Sequence, residues 1–156
     1  MSDFTIRPAV PGDEGTILAF IRELAVYEKL ENMVVATEEL LREWIFEKKT
    51  ARVLIAEENG TPVGYALYFY NFSTFLGRAG IYLEDLYIQP THRKKGYGKA
   101  LLAHLAGICE KENLGRLEWS CLDWNQASID FYLSLGASPM EGWTQYRLTF
   151  PRKRPL

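Results

Sequence analysis

The chain has 156 residues, 47% of them hydrophobic and 13% aromatic, which is enough for one ordinary core and too little for two comfortable domains, so a single domain over 1–156 is expected. A formal net charge of -2 and an isoelectric point near 5.8 argue against a general nucleic-acid binder, whose affinity comes from a broad excess of Lys and Arg. No apolar run reaches the roughly 18 residues of a membrane span, and Met1-Ser2-Asp3-Phe4 lacks the basic region and apolar stretch of a leader, so a soluble cytoplasmic protein with neither nucleic-acid nor membrane partners is expected.

Phe4-Thr5-Ile6-Arg7 alternates apolar and polar residues as a strand does, and Pro8 to Asp13 breaks it before Ile17, Leu18, Ile21, Leu24 and Ala25 recur at helical spacing. Thr37, followed by Glu38, Glu39, Leu40, Leu41, Trp44 and Ile45, predicts a capped second helix with acidic residues in its first turn. Ala51 to Glu57 and Thr61 to Phe72 are rich in β-branched and aromatic residues, and Asn59-Gly60 between them is a strong type I′ hairpin signal. A further strand over Gly80 to Ile88 stops at Pro90, and after a basic glycine loop Leu101, Leu102, Leu105, Ile108 and Cys109 trace the apolar stripe of a helix. Leu114 to Leu122 reads as a strand, Asn125 to Leu135 as a helix closed by Gly136, and Trp143 to Phe150 as a last strand. The order β-α-α-β-β-β-α-β-α-β implies a mixed α/β sheet with helices on its faces rather than a uniformly alternating doubly wound fold.

Cys109 and Cys121 have neither metal-ligand spacing nor the density of a disulfide scaffold, and His92 and His104 are too few and too isolated for a metal site or a serine triad. No metal is expected. The basic, proline-bounded tail Pro151 to Leu156 reads as a solvated end.

The most informative stretch is Arg93-Lys94-Lys95-Gly96-Tyr97-Gly98-Lys99, at the junction of a strand and a helix. Helix N-termini carry partial positive charge and unpaired N–H groups, so Lys and Arg there cost roughly 0.3 to 1 kcal/mol each unless an anion is bound. Glycines let a phosphate approach the backbone closely. Gly-x-Gly-x-x-Gly and Gly-Lys-Ser/Thr are both missing from the segment, so the dinucleotide and P-loop fingerprints fail.

What remains, Arg93-x-x-Gly96-x-Gly98, resembles the acyl-CoA signature of the GNAT acetyltransferase superfamily. Tyr82-Leu83-Glu84-Asp85-Leu86-Tyr87-Ile88 precedes it, and Leu122-Asp123-Trp124-Asn125-Gln126-Ala127-Ser128 and Phe131-Tyr132 follow it. With Leu24-Ala25-x-Tyr27-Glu28 and Glu141-Gly142-Trp143, nearly the whole chain is similar to the diamine (spermidine/spermine) acetyltransferase subfamily and its thialysine N-epsilon-acetyltransferase branch. Leu122 to Gln126 and Ser73-Thr74-Phe75 with Gly77-Arg78 lean toward that branch, although Phe75 stands where the family usually has tryptophan and this loop is one residue longer.

The resemblance implies a mixed, mostly antiparallel central sheet with helices on both faces and a splayed strand pair at the acyl-CoA site. It implies acetyl-CoA as co-substrate, a small primary amine as acceptor and a homodimer. A primary amine with pKa near 10.4 must lose a proton before acyl transfer, at a cost of about 4 to 5 kcal/mol at neutral pH. By resemblance, Glu84 is the base, acting through water, and Tyr132 is the acid that protonates the leaving thiolate. In a regular strand Asp85 would point to the opposite face from Glu84, so the two carboxylates could not serve one pocket equally. Backbone N–H groups at Leu86, Tyr87 and Ile88 are the implied oxyanion and pantetheine donors. The coenzyme is implied to meet Arg93, Lys94, Lys95, Gly96, Tyr97, Gly98 and Lys99, with Asn125 and Ser128 at the next helix start, where helix capping is an equally good role. Tyr27, Glu28, Glu84 and Glu141 are the implied acceptor contacts, since a cationic amine is steered by carboxylates. Acetylation of a protein N-terminus or lysine, and a catalytically idle acyl-CoA sensor, are the competing readings.

Overall fold

A computed structural model gives the fold and describes residues 3–156. The chain divides into two compact units, Met1–Ser120 and Cys121–Leu156.

The first unit is built on a five-stranded sheet of β1 (Phe4–Pro8), β2 (Arg52–Glu58), β3 (Thr61–Ser73), β4 (Arg78–Ile88) and β5 (Leu117–Trp119), in spatial order β1-β2-β3-β4-β5. The first three pairings are antiparallel, and only β4 with β5 is parallel. That single parallel step needs a crossover, which is the helix α3 (Tyr97–Lys111). Asn59 (φ 52°) and Gly60 (φ 79°) both take left-handed backbone between β2 and β3, as a type I′ turn requires.

Four successive residues of β2, Val53 to Ala56, are buried, so both faces of the sheet are covered. On one face α1 (Glu14–Tyr27) packs Ile17, Phe20 and Leu24 against Val53, Ile55, Tyr65 and Tyr87. The other face is covered by α3, whose Leu101, Leu102 and Leu105 are buried and which contacts β2, β4 and β5. The start of α1 is tied down by Glu14, a buried carboxylate that accepts from the Gly12 N–H at 3.0 Å and pairs with Arg42 at 3.4 Å. The expected second helix is capped by Thr37, whose hydroxyl accepts from the Leu40 N–H at 3.2 Å. Its α-helical part, α2 (Glu38–Leu41), is one turn long and continues into a wider π-helical turn over Arg42–Glu47.

Two strand expectations need correction. Leu114 to Leu122 contributes only Leu117–Trp119 to the sheet. Over Trp143 to Phe150 there is no strand. Tyr146, Leu148 and Phe150 do alternate with polar residues, but the second unit contains one helix, α4 (Gln126–Ser134), and no other strand to take up the backbone N–H and C=O groups. Alternation describes a strand's faces and does not supply its partner. Among the described residues, no helix is long and apolar enough to cross a membrane.

Candidate active site

The site begins with an irregularity in β4. Leu67 pairs with Asp85 and Tyr68 pairs with Leu83, so β4 carries one residue more than β3 at this point, Glu84. A bulge of this kind breaks the alternation of a strand and re-aims the side chains beside it. Asp85 stays in register with Leu67, on the face shared by Tyr65, Tyr87 and α1. The expectation that Asp85 turns away from the Glu84 pocket is therefore wrong: both line one cavity.

That cavity, about 340 Å³, is walled by Ile21, Leu24, Ala25 and Glu28 of α1 and its end, by Leu30, Met33 and Val34, and by Glu84 and Asp85. Six of these nine lining residues are aliphatic or Met, and the other three are carboxylates. Asp85 accepts a 2.6 Å hydrogen bond from the hydroxyl of Tyr65, which is fully buried. Burial pushes the Asp85 carboxyl above its ordinary range, with the Tyr65 hydrogen bond opposing. Glu28 is raised as well, first by burial and then by the charges of Asp85 and Glu84. The Tyr65 phenol is pushed well above its usual value, mainly by burial. Three carboxylates brought together beside aliphatic side chains, two of them raised by burial, can be offset by a cation carried on a hydrocarbon stem.

Beyond the bulge β4 runs on to Ile88, whereas its pairing with β5 covers only Ile81–Leu117, Tyr82–Glu118 and Leu83–Trp119. The segment holding Leu86, Tyr87 and Ile88 thus lies beyond the short parallel ladder and pairs only with β3. Tyr87 and Ile88 are buried. The Tyr87 hydroxyl donates to Glu23 at 2.9 Å and is raised to about 12, mostly by burial.

The basic loop follows at once. Gly96 precedes the first turn of α3 with φ 82°, and Lys94 takes φ 62°. The left-handed region suits glycine at the first position and strains the lysine at the second. Gly98 is different: its backbone is helical, and a Cβ built on it would meet nothing within 4 Å. The fold does not require glycine at 98, whereas a phosphate approaching the helix N-terminus would. This is the observation by which the loop fits acetyl-CoA.

Not every basic side chain of the loop faces outward. The Arg93 Nε donates to the Ile88 carbonyl at 2.8 Å, and its guanidinium lies 4.9 Å from the Tyr27 ring centre and 5.7 Å from that of Tyr87. Lys95 and Tyr97 both reach Glu58, while Lys94 and Lys99 are exposed. Tyr27 and Glu28 stand together at the end of α1, and Glu28 reaches the cavity with Glu84.

The remaining predicted residues lie in the second unit. Tyr132 is on α4, half-buried, its ring 5.6 Å from that of Phe131. Asn125 caps this helix by accepting from the Ser128 N–H at 3.3 Å. Glu141 is exposed in the turn before Gly142. Among the described residues no three His, Cys, Asp or Glu side chains are grouped to hold a metal ion.

Sheet, bulge, acidic cavity and glycine loop together define an acyl-CoA-dependent acyltransferase fold. Residues 13–137 match the acetyltransferase (GNAT) family model. Across its full length the chain is 39% identical to a thialysine N-epsilon-acetyltransferase of Bos taurus, covering 98% of that protein. A Caenorhabditis elegans protein of the same name is 35% identical, with 95% of this chain and 93% of that one covered. Among solved structures, an integron cassette protein from the mobile metagenome of V. cholerae superposes with a TM-score of 0.79 at 27% identity, covering 95% of this chain and 93% of that one. The chain belongs to the GNAT acetyltransferase family, closely related to the thialysine N-epsilon-acetyltransferase branch.

Two predictions follow from this geometry. Because the protonated form of Asp85 is favoured in the fold, its contribution to stability is present below the ordinary carboxylate range and lost as pH rises through the raised value. Asp85→Asn, which keeps an acceptor for Tyr65, should therefore raise Tm at neutral pH, with the gain shrinking as pH falls through that window, while the KM for a cationic amine rises about tenfold or more. Melts across pH with parallel kinetics check both signs. Gly98→Ala should leave Tm unchanged or raise it, since alanine in a helix is favoured by about 1 kcal/mol over glycine. Its KM for acetyl-CoA should rise severalfold in steady-state assays.

Proposed function

We propose that the protein transfers the acetyl group of acetyl-CoA to a primary amine of a small diamine, polyamine or thialysine-like amino acid. The carrying observation is the cavity in which Glu28, Glu84 and Asp85 converge on apolar walls. A neutral or anionic acceptor would leave three carboxylates close together, whereas an ammonium offsets the burial that raises Glu28 and Asp85 and the repulsion that adds to it at Glu28. The small volume and the aliphatic lining favour a linear stem over a folded macromolecular surface.

Acetyl-CoA supplies the acyl group as a thioester. Glu84, the bulge residue, accepts the proton of the attacking amine, through water, while Glu28 and Asp85 hold a second cationic group of the acceptor. Tyr132 delivers a proton to the departing sulfur. Lys94, Lys99 and the backbone of the glycine loop hold the coenzyme diphosphate, with Asn125 and Ser128 at the start of α4. Glu141 belongs to the acceptor side. In this reading the two units act as one domain, in line with a family match that spans residues from both, and the active protein is a homodimer, which rests on the family resemblance.

A CoA-release screen over putrescine, spermidine, spermine, lysine, thialysine, related diamines and short peptides tests the substrate class. Turnover should be confined to the small dicationic and lysine-like amines. Peptides outcompeting them would move the reading to a protein acetyltransferase, and binding of acetyl-CoA without CoA release from any amine would leave a sensor domain. Glu84→Gln should lower kcat/KM by about 10² to 10⁴ with a deficit that narrows as pH approaches the amine pKa. Tyr132→Phe retaining full kcat with normal acetyl-CoA binding would remove Tyr132 from the acid role.

A further inference from the structure

At the end of β2, away from the acidic cavity's lining, sits a carboxylate to which the acyl transfer reaction assigns no part. Glu58 is half-way out of the sheet by sequence position but its side chain is only 12% exposed, and it gathers three donors from the glycine loop and its approach. The Tyr97 hydroxyl donates to it at 2.9 Å, Lys95 Nζ lies 3.2 Å from each of its oxygens, and His92 Nδ1 stands at 2.9 Å. The Tyr97 ring is itself clamped, stacked on Phe4 of β1 with ring centres 4.0 Å apart and planes within 8°. These contacts hold the Glu58 carboxyl below its ordinary range, the His92 hydrogen bond contributing most.

The three donors bracket the loop. His92 precedes it, Lys95 sits between the left-handed Lys94 and Gly96, and Tyr97 opens α3. A backbone with a non-glycine residue at φ 62° is held by its neighbouring contacts, and here three of them end on a single carboxylate, beside the Arg93 bond to the Ile88 carbonyl. Tyr97 is buried and Lys95, though exposed, has its ammonium on Glu58, so both side chains act as anchors for the loop.

We propose that Glu58 is a positioning residue for the coenzyme: by holding Lys95, Tyr97 and His92 it fixes the 93–99 backbone in the shape that receives the diphosphate, and leaves charge neutralisation to Lys94 and Lys99. This rests on the reading that the glycine loop holds acetyl-CoA, and two sets of variants separate the two ideas.

Calorimetric titration with CoA and steady-state kinetics are run on Glu58→Ala, Glu58→Gln, Lys95→Met, Lys94→Met, Lys99→Met and Gly98→Ala. Glu58→Ala should raise the CoA Kd and the acetyl-CoA KM about tenfold, a shift on the scale of one charge-assisted contact. Its kcat at saturating acetyl-CoA and its amine KM should stay within about twofold of the parent, because the acceptor cavity is built from other residues. Glu58→Gln should recover part of the loss, since its carbonyl oxygen still accepts from Tyr97. The salt dependence of CoA binding should flatten in Lys94→Met and Lys99→Met and persist in Lys95→Met. An unchanged CoA Kd in Glu58→Ala, parallel damage to kcat and amine KM, or flattening in Lys95→Met equal to that of its neighbours would each overturn the proposal. If Glu58→Ala does not fold, Glu58→Gln combined with Lys95→Met gives the same split between coenzyme and amine. Normal CoA affinity in Gly98→Ala, Lys94→Met and Lys99→Met would instead show that the loop does not hold the coenzyme, and the positioning role would fall with it.

Discussion

One extra residue in β4 sets the character of the site. With Leu83 paired to Tyr68 and Asp85 to Leu67, Glu84 is accommodated as a bulge, and two consecutive carboxylates come to line one cavity under α1. A regular strand would have sent them to opposite faces, leaving one beneath α3 among Leu101, Leu102 and Leu105, where an unpaired charge costs several kcal/mol. The bulge avoids that cost and concentrates negative charge where a cationic acceptor can offset it. It also falls next to Leu83, the last β4 residue paired with β5, so the change in side-chain direction and the end of the parallel ladder coincide.

The cavity is stable only because its charges are partly supported. Tyr65 is buried in the hydrophobic core with Ile17, Ile55 and Phe20, yet its hydroxyl ends on Asp85. A buried phenol needs an acceptor and a buried carboxylate needs a donor, so one 2.6 Å bond meets both demands. It does not cancel the burial of Asp85, whose carboxyl remains raised. That residual penalty is what an ammonium would relieve in the proposed function. In that reading, affinity for a cation and a stability penalty without one have the same electrostatic origin.

Much of this was legible in the sequence where the signal is local. Asn59-Gly60 announces its hairpin, Thr37 its cap, and Gly96 the start of α3, because each requirement is met within four residues. The Glu84 bulge was not legible, since it exists only as a mismatch of register between β4 and β3, residues 83 to 85 against 67 and 68. Asp85 was consequently assigned to the wrong face by an alternation rule that holds for unbroken strands. Glu58 carried no signal either: an acidic residue before Asn59-Gly60 looks like the polar flank of a turn, and its partners lie 34 to 39 positions away. A clue was available in Tyr97, an aromatic residue between two glycines in an otherwise charged loop, which is an odd choice for a solvated turn and a reasonable one for an anchor. The strand expected over 143–150 failed for the converse reason, a correct local pattern without a partner.

Arg93 links the two halves of the chemistry. As the first basic residue of the signature it was expected to face the coenzyme, yet its Nε is bonded to the Ile88 carbonyl and its guanidinium is stacked on Tyr27 and Tyr87. Tyr27 precedes Glu28, which lines the cavity, and Tyr87 is held by Glu23 of α1. The guanidinium thus spans the gap between the coenzyme loop and the end of α1, with its stacking and its hydrogen bond satisfied by the protein itself. A phosphate that drew Arg93 outward would take it off the Tyr27 ring at the end of α1, whereas a phosphate held by Lys94, Lys99 and the helix N-terminus leaves that contact intact. The second arrangement lets donor and acceptor be bound together, as direct transfer between them requires, and it is the one consistent with a loop already pinned from beneath by Glu58.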